Sequence, residues 1–234
     1  MSREPIRISI LNPNATQSMT DEMVASAQLS VGGLAKVEGL TNSLGPAAIQ
    51  GPKDAEDCLS GLFGLFETAR SQGADGIIVG CFDDTGLREL RARGTVPVIG
   101  LGEAGCIAGS LAASRFSVVT TLVVSVPVIA ENIRNMGLWD RCNGVHPSGV
   151  AVLELSSAGH SLPRITNTID QLLEADPHQS IVLGCGGMTA IASEISPSSP
   201  AHIIDPVVAA VQLCLGVVSA SSRSIEQTKQ SVKL

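Results

Sequence analysis

The chain has 234 residues and a net charge of −7, with 15 Lys and Arg against 22 Asp and Glu; 44% of it is hydrophobic but only 2% aromatic, as four Phe, one Trp and no Tyr. That apolar fraction excludes wholesale disorder, because one large or two small domains can bury enough surface to offset the entropy of ordering. The acidic balance and the shortage of rings exclude a nucleic-acid partner, which needs clustered Lys and Arg and, for single strands, aromatic stacking.

Ile6 to Leu11 is a short β-branched run ending in Asn and Pro, the signature of a buried strand. A helix follows over Ser18 to Leu29, capped by Thr16 or Ser18, and a second over Asp54 to Gln72, capped by Asp54. Gly76 to Gly80 reads as a strand, Asp84 to Arg93 as a helix, Val96 to Gly100 as a strand and Glu103 to Ala113 as a helix. Phe116 to Thr120 is the next strand, followed by helices over Val126 to Met136 and Ile165 to Ala175. Ser180 to Gly184 and His202 to Ile204 are the last strands, each followed by a helix, Thr189 to Ile195 and Val207 to Val218. Strand–helix alternation of this kind predicts an α/β fold with a mainly parallel sheet. The polar stretch from 219 to 234 is expected to be a surface helix or a frayed tail.

The order of elements runs through twice. Ile77-Ile78-Val79-Gly80-Cys81 matches Ile181-Val182-Leu183-Gly184-Cys185, and each is preceded by a strand with a polar end, at Asn12-Pro13-Asn14 and at Thr120-Thr121. Val96-Pro97-Val98-Ile99 and His202-Ile203-Ile204-Asp205 stand at nearly equal distances downstream. The pattern predicts two similar halves, 1–115 and 116–218, with the helix over 103–113 and the C-terminal helix as candidates to cross between them.

No apolar h-region follows Arg3, Glu4 and Arg7, so no signal peptide is expected. The longest apolar stretch, Pro206 to Val218, carries Gln212 and is too short for a bilayer. The C-terminal Val232-Lys233-Leu234 matches a Ser-Lys-Leu signal only in part. A cytoplasmic protein with no membrane partner is expected. There the six cysteines, 58, 81, 106, 142, 185 and 214, are not a disulfide framework, and no Cys/His group has zinc-ligand spacing.

Two of those cysteines stand apart. Ligands of parallel α/β sheets bind beyond the carboxyl ends of the strands, and Cys81 and Cys185 both lie there, at strand-to-helix turns. If the halves face each other, the two sulfurs converge on one cleft. Opposed acid and base groups are what inversion at a carbon requires: one thiolate removes a proton while the opposite thiol delivers one. Each sulfur then sits ~3–3.5 Å from the carbon, about 7 Å from the other and too far for a disulfide. Cys58, Cys106, Cys142 and Cys214 have no repeat partner and read as packing residues. The four His residues, 146, 160, 178 and 202, form no pair or triad.

The motifs Asn12-Pro13-Asn14-Ala15-Thr16, Gly45-Pro46-Ala47-Ala48-Ile49, Gly73-Ala74-Asp75-Gly76 leading to Cys81, Gly100-Leu101-Gly102-Glu103-Ala104, Phe116 to Thr121, Val182 to Met188 and Ile204-Asp205-Pro206-Val207 occur in an order specific to one group of proteins. With them the chain resembles the aspartate/glutamate/hydantoin racemase family, in its hydantoin and allantoin racemase branch, from about Ile8 to Gly216. The resemblance implies two pseudo-symmetric, Rossmann-like lobes with the active site in the cleft between them. It implies a cofactor-independent racemase of 5-substituted hydantoins or allantoin, with Cys81 and Cys185 as acid and base, and a homo-oligomer. Asn12, Thr120 and Thr121 are candidates to hold the small-molecule substrate, the N–H groups of Phe82 and Gly186 to bind an oxyanion, and Ile49 to form an apolar wall. Asn12 reads equally well as an Asx turn before Pro13. Glu103 reads as a helix-start residue, and a charge on Asp83 or Asp84 would raise the pKa of Cys81.

The chain departs from the family pattern at Val123-Val124, where Pro-Arg is common, at Gln50, commonly Glu, and at Asp83-Asp84-Thr85, commonly Gly-Asp-Pro. Losing the guanidinium disfavours anionic substrates. The alternatives are another activity of the same superfamily (an amino-acid racemase, a maleate-type isomerase or a decarboxylase) and a non-catalytic binding or regulatory protein. A decarboxylase needs one thiol rather than two.

Overall fold

The computed structural model describes residues 5–94, 96–155, 158–195 and 200–221. The first sheet contains β1 (Ile6–Asn12), β2 (Ala35–Thr41), β3 (Gly76–Val79) and β4 (Val98–Gly100), all parallel, in the order β2-β1-β3-β4. The second contains β5 (Phe116–Thr120), β6 (Cys142–Pro147), β7 (Ser180–Gly184) and β8 (Ile203–Ile204), also parallel, in the matching order β6-β5-β7-β8. The repeat is therefore topological. Each sheet runs its strands in the same sequence, and β3 and β7 occupy the same place.

The helices are α1 (Gln17–Val31), α2 (Pro52–Asp57), α3 (Leu59–Ser71), α4 (Leu87–Arg93), α5 (Leu101–Ala112), α6 (Val126–Asn135), α7 (Ala158–Ala175) and α8 (Pro206–Ala220). Two strands escape the sequence pattern, β2 and β6. Both lie at sheet edges and bury only some of their side chains, so neither carries the fully buried, largely apolar run of β3, β5 and β7. The helix expected over 54–72 breaks at Cys58, whose carbonyl accepts a hydrogen bond from Asn42 Nδ2 at 3.2 Å. The helix expected from 84 starts at Leu87, because Asp84 and Gly86 have φ of 52° and 73°. In place of the helix over 189–195 a 3-10 helix runs from Gly186 to Glu194. The segments 1–4 and 222–234, on which the targeting and tail expectations partly rest, lie outside the described residues. Among the described residues no helix is long and apolar enough to cross a membrane.

Alternation along the strands divides the core. Ile8, Ile10 and Ile78 face α1 and α8 with Met23, Ala27, Val207, Val211 and Cys214, whereas Leu11, Ile77 and Val79 face α3 and α4 with Leu62, Phe66 and Leu90. In the second sheet Phe116, Val118 and Val182 face α5 and α6, and Val119, Ile181 and Leu183 face α7. Thus α8, which follows the last strand of the second sheet, covers the first. In exchange α5, which follows the last strand of the first sheet, covers the second. The close approach of α5 needs a side-chain-free face: a Cβ on Gly109 would sit 2.6 Å from Val182 Cγ2, and one on Gly105 3.0 Å from Val182 Cγ1.

The start of α5 is tied to the loop after β3. Asp84 accepts hydrogen bonds from the N–H groups of Gly102 (2.9 Å, Oδ1) and Glu103 (2.8 Å, Oδ2), satisfying two free donors of the first helical turn. Burial pushes the Asp84 carboxyl up to about 8, against these N–H bonds, which hold it down. Glu103, the expected helix-start residue, instead sends its carboxylate to Arg91 at 2.5 Å. Asp84→Ala should cost about 1–2 kcal/mol for the lost cap, lowering Tm by a few degrees in a chain of this size. Asp84→Gly, which suits the positive φ, should fall less; equal wild-type Tm values for both variants in thermal denaturation would contradict this capping role.

Candidate active site

Cys81 and Cys185 follow the central strands β3 and β7 after one glycine and none, and the residue after each cysteine packs into the opposite lobe. Phe82 is 4% exposed and its ring joins Phe116, Val118, Ile129 and Val182 in the core of the second lobe. Burying such a ring contributes about 1.5–3 kcal/mol. In return, Gly186 sits among first-lobe groups. A Cβ there would lie 3.0 Å from Met23 Sδ, 3.1 Å from Leu101 Cδ1 and 3.6 Å from the Gly80 carbonyl oxygen. These two insertions bring the cysteine-bearing strand ends together, close enough for the ionised Cys185 to raise the pKa of Cys81.

All six cysteines are free. Cys81 and Cys185 are half-buried, while Cys58, Cys106, Cys142 and Cys214 are buried, so accessibility separates the same pair that the repeat singles out. Burial drives the Cys81 thiol well above its usual value, the Asp83 charge adds to that rise, and an N–H bond from Asp83 and a contact with Thr85 Oγ1 at 3.8 Å oppose it. Burial likewise pushes Cys185 up to about 11 against N–H bonds from Gly187 and Met188, with Asp83 again raising it. The backbone donors that reach the sulfurs are thus one or two residues beyond Phe82 and Gly186. Cys185 packs against Met19, Ala48 and Val152, an apolar cluster in which Ala48 stands next to the buried Ile49.

Asp83 is pushed up to about 6 by burial, partly offset by Ser125 Oγ, which donates to it at 3.5 Å. Among the described residues no cation is among the groups that shift Cys81, Cys185 or Asp83. No described group of three or more His, Cys, Asp or Glu has the geometry to hold a metal ion.

The remaining expected residues divide. The Asn12 carboxamide works inside its own turn: Nδ2 donates to Asn14 Oδ1 (3.0 Å), the Thr16 carbonyl (3.2 Å) and Thr20 Oγ1 (3.0 Å), and Oδ1 accepts from the Asn14 N–H (3.1 Å). That is the Asx turn. Thr120 Oγ1 donates to the Gly184 carbonyl at 3.2 Å, joining β5 to β7 just before Cys185. Thr121 is buried, and its carbonyl accepts from the Gly149 N–H at 2.8 Å. Gln50, one of the departures, spans the lobes: its Oε1 accepts from the Val152 N–H at 3.2 Å. Val123 and Val124 are exposed, and Val124 Cγ2 would lie 3.2 Å from a Cβ on Gly51.

The 3-10 segment after Cys185 is held much as the loop after Cys81 is. Thr189 Oγ1 donates to Asp205 Oδ2 at 2.5 Å, and Asp205 Oδ1 caps α8 by accepting from the Val207 N–H at 2.8 Å. In each lobe, then, a carboxylate at the start of the exchanged helix tethers a cysteine loop. Distance along the chain hides the Asp84 tether from sequence reasoning, and the Thr85 contact follows only once the loop conformation is known.

A family model described as Asp/Glu/Hydantoin racemase matches residues 8–214. A hydantoin racemase of Rhizobium meliloti is 31% identical over 216 residues, spanning 92% of this chain and 90% of the relative. An allantoin racemase from Klebsiella pneumoniae has a similar structure, with a TM-score of 0.87 at 30% identity, covering 92% of this chain and 88% of the other. A glutamate racemase from Francisella tularensis subsp. tularensis in complex with D-glutamate shares the fold, with a TM-score of 0.65 at 16% identity over 93% of this chain and 82% of the other.

With both thiol pKa values raised, the thiolate fraction stays small at neutral pH and grows through the alkaline range. Alkylation of Cys81 and Cys185 by iodoacetamide, followed by peptide mass spectrometry, should accelerate about tenfold per pH unit from pH 7 to 9. A rate plateau at or below pH 8 would contradict this electrostatic picture.

Proposed function

The chain belongs to the Asp/Glu/hydantoin racemase family, and we propose that it inverts C5 of a 5-substituted hydantoin or of allantoin by proton transfer between Cys81 and Cys185. The observation that carries this reading is the pairing of two half-buried, free thiols at equivalent strand ends, interlocked by Phe82 and Gly186. Identities of 31% and 30% over 92% of the chain to a hydantoin racemase and an allantoin racemase support the substrate class.

In the reaction one sulfur, as thiolate, takes the C5 proton: the C–H bond breaks, an S–H bond forms and the electron pair moves onto the adjacent carbonyl oxygen. The opposite thiol then gives its proton to the other face of C5 and becomes the thiolate. The two sulfurs have exchanged roles, and the reverse reaction starts from there. A thiolate of raised pKa is scarce but strongly basic, which suits a weakly acidic carbon. The N–H groups of Asp83, Gly187 and Met188 stabilise the sulfur anions, and those of Phe82 and Gly186 are assigned to the developing enolate oxygen. Asn12 and Thr120 are assigned to shaping the two strand ends, and Thr121 and Ile49 to the pocket wall. The chemistry requires reduced thiols, in keeping with a cytoplasmic location.

The test is racemisation of an enantiopure 5-substituted hydantoin, or of allantoin, in D₂O. Initial-rate product should carry deuterium at C5, while recovered substrate carries almost none, because separate groups remove and deliver the proton. Cys81→Ser and Cys185→Ser should each lower the rate by about 10²–10⁴-fold. Equal deuterium in recovered substrate and product, or full activity in either variant, would overturn the two-thiol reaction.

A further inference from the structure

The Asp83 carboxylate has no role in the proton transfer just described, where only the residue's N–H acts, yet its charge raises the pKa of both sulfurs. Its position is held from several sides. Its N–H donates to the Cys81 sulfur, its carbonyl accepts from Asn132 Nδ2 at 2.9 Å, and its carboxylate receives the 3.5 Å bond from Ser125. Its neighbour Asp84 turns away to cap α5 with both oxygens. The Asp83 carboxylate receives one long hydrogen bond, which leaves most of its acceptor capacity open.

For proton abstraction alone such a group is a handicap, because a negative charge opposes both the thiolate and the enolate. Its effect on ligands is different. A substrate that brings its own carboxylate to the reacting carbon, as an α-amino acid or a malonate does, would set two negative charges side by side in a half-buried cleft. Among the described residues no cation is among the groups that shift either sulfur or Asp83, so none offsets that repulsion there. An uncharged cyclic ureide meets no such repulsion and can offer its N–H groups to the open acceptor positions.

We infer that Asp83 is a specificity-determining residue: resting on the racemase reading above, its carboxylate reserves the paired-thiol cleft for uncharged, N–H-bearing substrates and rejects those that carry a carboxylate. Two repelling charges at this range lower occupancy by about tenfold or more once partial screening is allowed for.

The charge filter is measured without relying on turnover. The full-length protein is alkylated at pH 7.5 with neutral iodoacetamide or anionic iodoacetate, the modified Cys81 and Cys185 peptides are quantified, and 2-mercaptoethanol supplies the intrinsic ratio of the two reagents. Taking a ratio cancels any change in thiolate fraction that a substitution brings. Wild type should prefer the neutral reagent by about tenfold beyond the intrinsic ratio. Asp83→Asn should bring the preference within about twofold of the intrinsic ratio, and Asp83→Glu should retain it. An identical preference in wild type and Asp83→Asn, or none in wild type, overturns the inference. In a second arm, a 5-alkyl hydantoin is compared with its 5-carboxyalkyl counterpart. Asp83→Asn should lower the carboxyalkyl-to-alkyl KM ratio about tenfold, and an unchanged ratio counts against the inference. Should wild type racemise neither compound, the racemase reading fails on its own, and the alkylation ratio still decides the role of Asp83.

Discussion

The architecture depends on a reciprocal exchange between two similar lobes. Each sheet by itself carries a single cysteine at the end of its third strand, which is enough for one proton transfer and not for inversion. What joins the two is that Phe82 enters the core of the second lobe while Gly186 enters a gap in the first where a Cβ would press on Met23 and Leu101. The same exchange operates on a larger scale. α5 lies on the second sheet through a glycine face, and α8 lies on the first through Val207, Val211 and Cys214. Interfaces that bury core residues in both directions are stiff, because close-packed side chains tolerate little displacement. The thiols therefore sit on a closely packed seam between the lobes, with carboxylates at the starts of α5 and α8 tethering the loops that carry them.

The electrostatics of this seam bear directly on the proposed chemistry. Reactive cysteines in many enzymes are activated by a neighbouring cation, which lowers the thiol pKa. Here burial dominates and Asp83 adds a charge of the wrong sign, so the neutral thiols prevail at rest. That arrangement suits a reaction in which one member of the pair must be protonated at every stage. Among the described residues no cation acts on either sulfur or on Asp83, in keeping with the uncharged ring substrate proposed above.

Much of this was legible in the sequence. The doubled order of strands and the position of Cys81 and Cys185 at equivalent strand ends follow from apolar runs bounded by glycine, because buried parallel strands impose that pattern regardless of what surrounds them. β2 and β6 were not legible, since an edge strand needs no continuous apolar run and Ala35–Thr41 alternates with charges and glycine. Asp84 and Glu103 show a second kind of limit. Position along the chain assigns Glu103 to the start of α5, but Asp84, at positive φ, brings a carboxylate from 18 and 19 residues away onto the N–H groups of Gly102 and Glu103, and the Glu103 side chain is left to pair with Arg91. At Asn12 the local reading held both possibilities, and the turn closed by Asn14 and Thr16 takes up its carboxamide. Contacts made across the seam depend on how the lobes meet, and no local pattern encodes that.

The central claim is that the two sulfurs address one carbon from opposite faces. A crystal structure of the protein bound to an N-substituted urazole, in which a near-planar ring nitrogen replaces C5, tests it most directly. The account predicts that nitrogen between Cys81 Sγ and Cys185 Sγ, about 3–4 Å from each and with one sulfur on either side of the ring. Both sulfurs on one face, or either one more than about 6 Å away with the ring seated in the cleft, would contradict it.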